Sequence, residues 1–413
     1  MSSFAHDLSV RLTSHDIFWS YLGKLQGSGI AKTLSKPLVS APVIEQLELK
    51  KLHYCASVFA QTEDDRFKSI AQTIALNTLL LEHDEAMRES SMHLLTELGN
   101  FPGLEYVDKV YGRGNHSFLE RLNRKVSQAL NTVPIGGAHL PLTDYQKRVW
   151  EKLPGGTSLA ITAPTSAGKS FLVVEHLCRL AESRQRFGAV YIAPTRALLS
   201  EVHQKIQARL SSSEHIRVST VPSLDPLNRD HQVFVLTQER LQVLLSTWGG
   251  AIDLVVVDEA QNLSDAARGM ILQDCLEVIV ARNRRAQVVM LAPGAVGLPT
   301  IAKTIGIAEL TPQSTAVSPV LQNRIVVSKV AGHQNKLSLS LLRSPSDKVL
   351  LGTVETENGL ENPDTRLAAV ALELGGVGGS LVYETGPNEA EKTALQLMNG
   401  LALKRTVTCS FSR

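Results

Sequence analysis

The residues of this 413-residue chain with the most chemistry to offer fall in two short runs. The first, Ala163-Pro164-Thr165-Ser166-Ala167-Gly168-Lys169-Ser170, follows the apolar run SLAIT and opens a helix-length segment. A loop of that make-up presents backbone N–H groups, together with the positive end of the following helix, to phosphate oxygens. Thr165, Ser166, Ala167 and Gly168 then form the cradle. Lys169 is placed for the β- and γ-phosphate oxygens, and the Ser170 hydroxyl for Mg2+. Ala163 stands where the general pattern has its first glycine. In the second run, Leu254-Val255-Val256-Val257 leads straight into Asp258-Glu259-Ala260-Gln261. A buried strand that delivers two adjacent carboxylates at its end suits a division of labour. Asp258 would hold Mg2+ while Glu259 orients and deprotonates an attacking water. Each run has an ordinary reading by itself, a chance loop and an acidic helix N-terminus. In one domain and in this order they point to ATP and Mg2+ as cofactors.

The elements that must position these residues alternate between two periods. SLAITAPT, GAVYIAPT, QVFVLT, DLVVVDEA and QVVMLAPG are continuous apolar runs of strand length. Each leads through a polar turn into an amphipathic segment such as SFLVVEHLCRLAESR or RALLSEVHQKIQARL. That alternation predicts a parallel sheet covered on both faces, with function at the C-terminal strand ends. Upstream, from about Ile44 to Tyr111, apolar residues recur at three- and four-residue spacing, which predicts a helical domain. It is punctuated by NFPG and by the YGRGN loop, and VPIGGAHLPLT reads as a linker. After Leu310 short β-like runs are broken by Ser, Pro and Asn. From Asp364 a helix RLAAVALELGG, a strand SLVYET and a helix NEAEKTALQLMNGLA are expected.

Composition sets bounds. A hydrophobic fraction of 43% with 20% charged residues is that of a chain able to bury a core, and the length predicts two or three domains. Forty-two Lys and Arg against 40 Asp and Glu leave +2 formal charge, so any grip on a polyanion has to be local. Cys55, Cys178, Cys275 and Cys409 have no CxxC pairing and no His at metal-ligand spacing, which predicts core thiols in a reducing compartment. The N-terminus carries no apolar run of signal-peptide length, and no stretch approaches the ~20 apolar residues of a membrane span. A cytoplasmic protein without a membrane partner is expected.

APTSAGKS, APTRALLSE, TQERL and DEAQ, in this order, resemble motifs I, Ia, Ib and II of the DExD/H-box superfamily 2 helicases, with APTSAGKS most similar to the Ski2-like branch. The resemblance runs from about Leu140 to Gly294. It implies an α/β, RecA-like P-loop NTPase domain over 138–312, preceded by a small all-α domain over 1–137. A connecting region over 313–363 and the beginning of a second, incomplete RecA-like domain over 364–413 would follow. Leu142-Thr143-Asp144-Tyr145-Gln146 resembles the Q-type motif, which implies adenine recognition by Gln146. For Thr195 and Arg196 of motif Ia, and Thr237 and Arg240 of motif Ib, the resemblance implies contacts to the backbone of single-stranded or duplex RNA or DNA. Hydroxyls, arginines and helix N-terminal amides are suited to phosphate oxygens and carry no sequence readout. Taken without the resemblance, Thr237 reads as a helix N-cap and Arg196 as a solvated charge.

Two departures qualify the resemblance. Leu291-Ala292-Pro293-Gly294 stands where the family has the Ser-Ala-Thr motif III that couples hydrolysis to strand separation, and it carries neither hydroxyl of that motif. No Q-x-x-G-R-x-G-R pattern appears, and an arginine finger is worth orders of magnitude in rate. The expectation is an ATP-dependent helicase or translocase, with a further chain supplying the rest of the second RecA-like domain and with poor turnover by this chain alone. The alternative is a non-catalytic module in which ATP occupancy regulates the hold on nucleic acid or protein.

Overall fold

The computed structural model describes residues 2–81, 85–111, 117–213, 215–222, 231–294, 297–344, 347–357, 363–375 and 379–410. The chain divides into two compact units: Met1–Glu63, Ile70–Leu94 and Leu321–Arg413 form one, and Asp64–Ser69 with Leu95–Val320 form the other. The YGRGN loop lies almost wholly outside the described residues.

In the second unit every expected apolar run is a strand: β1 (Ser158–Thr162), β2 (Phe187–Ile192), β4 (His231–Leu236), β5 (Leu254–Val257) and β6 (Gln287–Ala292). Two further strands, β3 (Ile216–Ser219) and β7 (Leu310–Ser314), close the sheet edges. All pair in parallel, in the order β3-β4-β2-β5-β6-β1-β7. The mixed α/β class with a parallel sheet is as expected. Because side chains alternate across a strand, each strand feeds two cores. Leu159, Ala189, Tyr191, Val256 and Leu291 pack beneath α1 (Asp144–Lys152), α2 (Lys169–Ser183) and α3 (Arg196–Arg209). Ala160, Val190, Ile192, Val257 and Met290 face α4 (Gln238–Thr247), α5 (Ala266–Arg282) and α6 (Leu298–Thr304). Burial on both faces is why these strands read as unbroken apolar runs. The edge strands lack that signature: IRVS is buried only at its ends, and LTPQS only at Leu310.

The stretch expected as a linker before the sheet is an antiparallel hairpin, Thr132–Ile135 paired with Ala138–Pro141. Gly136 and Gly137, at φ 57 and 82, supply the two left-handed residues that a tight two-residue hairpin turn requires.

The first unit holds the helices Ser2–Thr13, Asp16–Thr33 and Gln46–Ala60 together with chain from the far end of the sequence. Within 313–363, expected as a connecting region, Ile325–Lys329, Lys336–Ser344 and Asp347–Glu355 build a three-stranded antiparallel sheet. Leu337, Leu339 and Leu341 point inward from KLSLSLL and meet Ile30, Leu351 and Ala369 in one core. The helices Pro363–Leu374 and Pro387–Ser410 match the expected helical segments. The strand expected at SLVYET, the opening of a second RecA-like domain, is not formed. Residues 380–385 have no regular structure, and Leu381 and Tyr383 are 98% and 83% exposed. An apolar run becomes a strand only where a neighbour takes up its backbone N–H and C=O groups, and no described strand does so here.

Cys178 and Cys275 are buried and Cys55 is half-buried, all as free thiols. No described helix is long and apolar enough to cross a membrane.

Candidate nucleotide-binding site

β1 ends at Thr162, Thr165–Ala167 make a single 3-10 turn, and Gly168 at φ 71, ψ 24 turns the chain into α2 at Lys169. Gly168 lies in the left-handed region that favours glycine, and a Cβ there would also come within 2.7 Å of Gln146 Nε2, the end of a side chain that would have to shift. Ala163 has no positive φ, so alanine fits in place of the pattern's first glycine; its N–H donates to the Ala292 carbonyl at 3.2 Å. Lys169 is buried and folds back on its own loop, Nζ donating to the carbonyls of Ala163 at 2.6 Å and Pro164 at 3.0 Å. Burial pulls its ammonium below the ordinary lysine value, and the nearby charges of Glu259 and Asp258 oppose that shift.

Asp258 leaves β5 buried, its N–H donating to the Ile192 carbonyl of β2 at 3.0 Å. Both carboxylate oxygens are engaged. Oδ2 accepts from the Tyr191 hydroxyl at 2.5 Å, and Oδ1 accepts from the Glu259 N–H at 2.9 Å. Burial pushes the Asp258 carboxyl above its ordinary value, while the Tyr191 hydrogen bond holds it back. Glu259 sits at φ 49, ψ 49, a left-handed conformation rare for a residue with a side chain. Its carboxylate is clamped by Gln261, whose Nε2 donates to Oε2 at 2.5 Å.

Tyr191 orients Asp258, and sequence reasoning passed over it. Fully buried in GAVYIAPT, it reads as one more core aromatic. Yet its hydroxyl donates to Asp258, one of the two expected Mg2+ ligands. A hydroxyl and a carboxylate are hard oxygen donors, as Mg2+ requires. Among the described residues no cluster of three or more His, Cys, Asp or Glu could hold a metal. Two protein ligands beside a phosphate cradle fit a Mg2+ carried in with a nucleotide, which takes few protein ligands and keeps the rest for phosphates and water.

Gln146 closes the site on the α1 side. It completes a capping box with Thr143, accepting from the Thr143 N–H at 2.9 Å, while Nε2 donates to the Ala167 carbonyl at 3.1 Å. Tyr145 beside it donates to the carbonyls of Thr162 and Gln313 and so pins α1 to the ends of β1 and β7. Ser166 bonds Ser318 through their hydroxyls at 2.8 Å.

The residues of motifs Ia and Ib follow the ends of the paired strands β2 and β4, where Ile192 and Leu236 are in register, and Pro194 and Gln238 line one cavity with Asp258. Thr195 and Thr237 are N-caps, accepting from Leu198 N at 3.3 Å and Arg240 N at 3.5 Å. Arg196 is exposed at the first turn of α3. Arg240 is half-buried and spends a guanidinium N–H on the Thr220 carbonyl at 2.6 Å.

Residues 143–292 match the family model of the DEAD/DEAH box helicase. Putative helicase 7 of Sulfolobus islandicus filamentous virus is 28% identical over 147 residues, covering 33% of this chain and 24% of that protein. The ATP-dependent DNA helicase Hel308 of Aeropyrum pernix is 28% identical over 158 residues, covering 37% and 21%. The DExH-box ATP-dependent RNA helicase DExH15 chloroplastic of Arabidopsis thaliana is 24% identical over 172 residues, covering 39% and 14%. The chain thus spans no more than 24% of the length of these relatives.

Proposed function

We propose, from the premise that residues 143–292 belong to the DEAD/DEAH box helicase family, that this chain binds ATP with Mg2+ and uses it to drive translocation on nucleic acid or separation of its strands. The observation that carries the proposal is the meeting of the loop lysine with the two carboxylates: Lys169 lies in electrostatic range of Asp258 and Glu259, and Asp258 is held at both oxygens by Tyr191 and the Glu259 N–H.

Each residue has a task in this reading. Lys169 exchanges the carbonyls of Ala163 and Pro164 for phosphate oxygens, a trade of neutral acceptors for charged ones. The backbone of Thr165, Ser166, Ala167 and Gly168 lines the phosphates, and Gln146, anchored to that loop, meets the adenine. Ser170 and Asp258 hold Mg2+, which neutralises charge on the phosphates when bound. Glu259, fixed by Gln261, takes the proton from the attacking water. Thr195, Arg196, Thr237 and Arg240 grip the phosphodiester backbone of one strand. One similar protein is named for DNA and another for RNA, and a grip on phosphates serves either. A second polypeptide segment supplies the cationic finger and the remaining RecA-like half.

Steady-state ATP hydrolysis with and without single-stranded RNA or DNA tests this reading. Turnover that rises with nucleic acid and falls with Glu259→Gln is expected. Turnover indifferent to both, with or without a supplied second RecA-like domain, would contradict it.

A further inference from the structure

A tyrosine on a fully buried strand position is a demanding choice. Its ring could be supplied by phenylalanine, whereas its hydroxyl costs free energy unless it finds a partner. At Tyr191 that hydroxyl turns toward a carboxylate that the proposed function assigns to Mg2+. It donates to Asp258 Oδ2 at 2.5 Å. Burial first, and the Asp258 charge next, hold the phenol well above its ordinary value, so it remains a neutral donor.

The geometry around Asp258 gives the hydroxyl a job. The Glu259 N–H fixes Oδ1 at 2.9 Å, and without a donor on Oδ2 the carboxylate is tied at one corner only. Tyr191 supplies the second tie from the neighbouring strand β2, whose backbone also receives the Asp258 N–H. The carboxylate plane is therefore set by β2 as well as by its own strand.

We infer that Tyr191 is a positioning residue of the Mg2+ site: its hydroxyl fixes the orientation of the Asp258 carboxylate and thereby sets how tightly the divalent cation of the nucleotide is held. This inference rests on the nucleotide-site reading above. Donors that orient a metal-binding side chain are worth about 10- to 100-fold in metal affinity.

The test is equilibrium binding of a fluorescent ATP analogue to the full chain, first in EDTA and then across a Mg2+ titration, for the wild type and Tyr191→Phe. In EDTA the two should bind alike, because the phosphate loop is untouched. The Mg2+ concentration giving half of the full gain in affinity should rise by about tenfold in the variant. Equal midpoints would overturn the inference while leaving the nucleotide site standing. A wild type that binds no nucleotide in either condition would overturn both. Should Tyr191→Phe not fold, 3-fluorotyrosine at position 191 keeps the ring and hydroxyl while altering donor strength: a shifted Mg2+ midpoint supports the positioning role, and an unshifted one overturns it.

Discussion

Gln261 holds Glu259 through a 2.5 Å hydrogen bond from Nε2 to Oε2, across a backbone that has turned left-handed at Glu259 itself. Such a conformation costs about 1–3 kcal/mol and persists where the surroundings over-determine it. Here the Glu259 N–H is committed to Asp258 Oδ1, so one strained residue orients both carboxylates.

The first prediction concerns Glu259→Gln, which keeps the shape and removes the base. ATP affinity should stay within about threefold, under 1 kcal/mol. Turnover should fall by about 10²- to 10⁴-fold, the range for losing a positioned general base. Equilibrium binding and single-turnover hydrolysis on one preparation separate the two effects.

Gly168→Ala should destabilise the chain by about 1–2 kcal/mol through left-handed backbone alone. A further cost comes from the Cβ at 2.7 Å from Gln146 Nε2. Adding Gln146→Ala should relieve the steric share and leave the conformational share, so the pair should be non-additive in urea unfolding.

Asp258 offers a prediction with a definite sign. Burial raises its carboxyl in the folded chain, so the protonated form stabilises the fold and that contribution is lost as pH rises through the raised value. At neutral pH the ligand-free chain therefore carries a buried charge at a cost. Asp258→Asn should melt higher than the wild type near pH 7, with the gap closing as pH falls toward the ordinary carboxylate range. Thermal melts across that interval, without Mg2+ or nucleotide, would read it. A variant that melts lower at neutral pH would reverse the assignment.

How much of this was legible in the sequence follows from what each residue faces. β1, β2, β4, β5 and β6 are buried on both sides, so their apolar runs announce themselves, and the residues at their ends can be named with them. β3 and β7 lie at the edges, half-wet and in one case carrying Pro312, and no periodicity marks them. SLVYET shows the opposite failure: the local pattern is strand-like, but pairing is decided elsewhere in the chain. Lys169, Ser170, Asp258 and Glu259 could be proposed from the sequence because their spacing just after apolar runs is itself a signal. Tyr191 was not, since a polar atom at the tip of a core aromatic is indistinguishable in sequence from packing. The Tyr before IAPT could have been questioned on one ground, that a fully buried phenol needs a partner.

The residues proposed to grip nucleic acid predict a salt signature. Arg196 is exposed and, among the four, the least committed within the fold, so Arg196→Ala should weaken binding to single strands of any sequence. The slope of log affinity against log salt should shrink by about 0.7 for the lost contact. Arg240→Ala should act partly through the fold, because its guanidinium already serves the Thr220 carbonyl. Titrations at several salt concentrations would distinguish the two.

The central claim is that the loop around Lys169 binds the phosphates of ATP. Its most direct test is ATP affinity, in the presence of Mg2+, of the wild type beside Lys169→Ala. The account predicts measurable binding by the wild type and a loss of about 100-fold or more in the variant, the order expected when a buried charged partner is removed. Equal affinity in the two proteins, or no binding by the wild type, would contradict it.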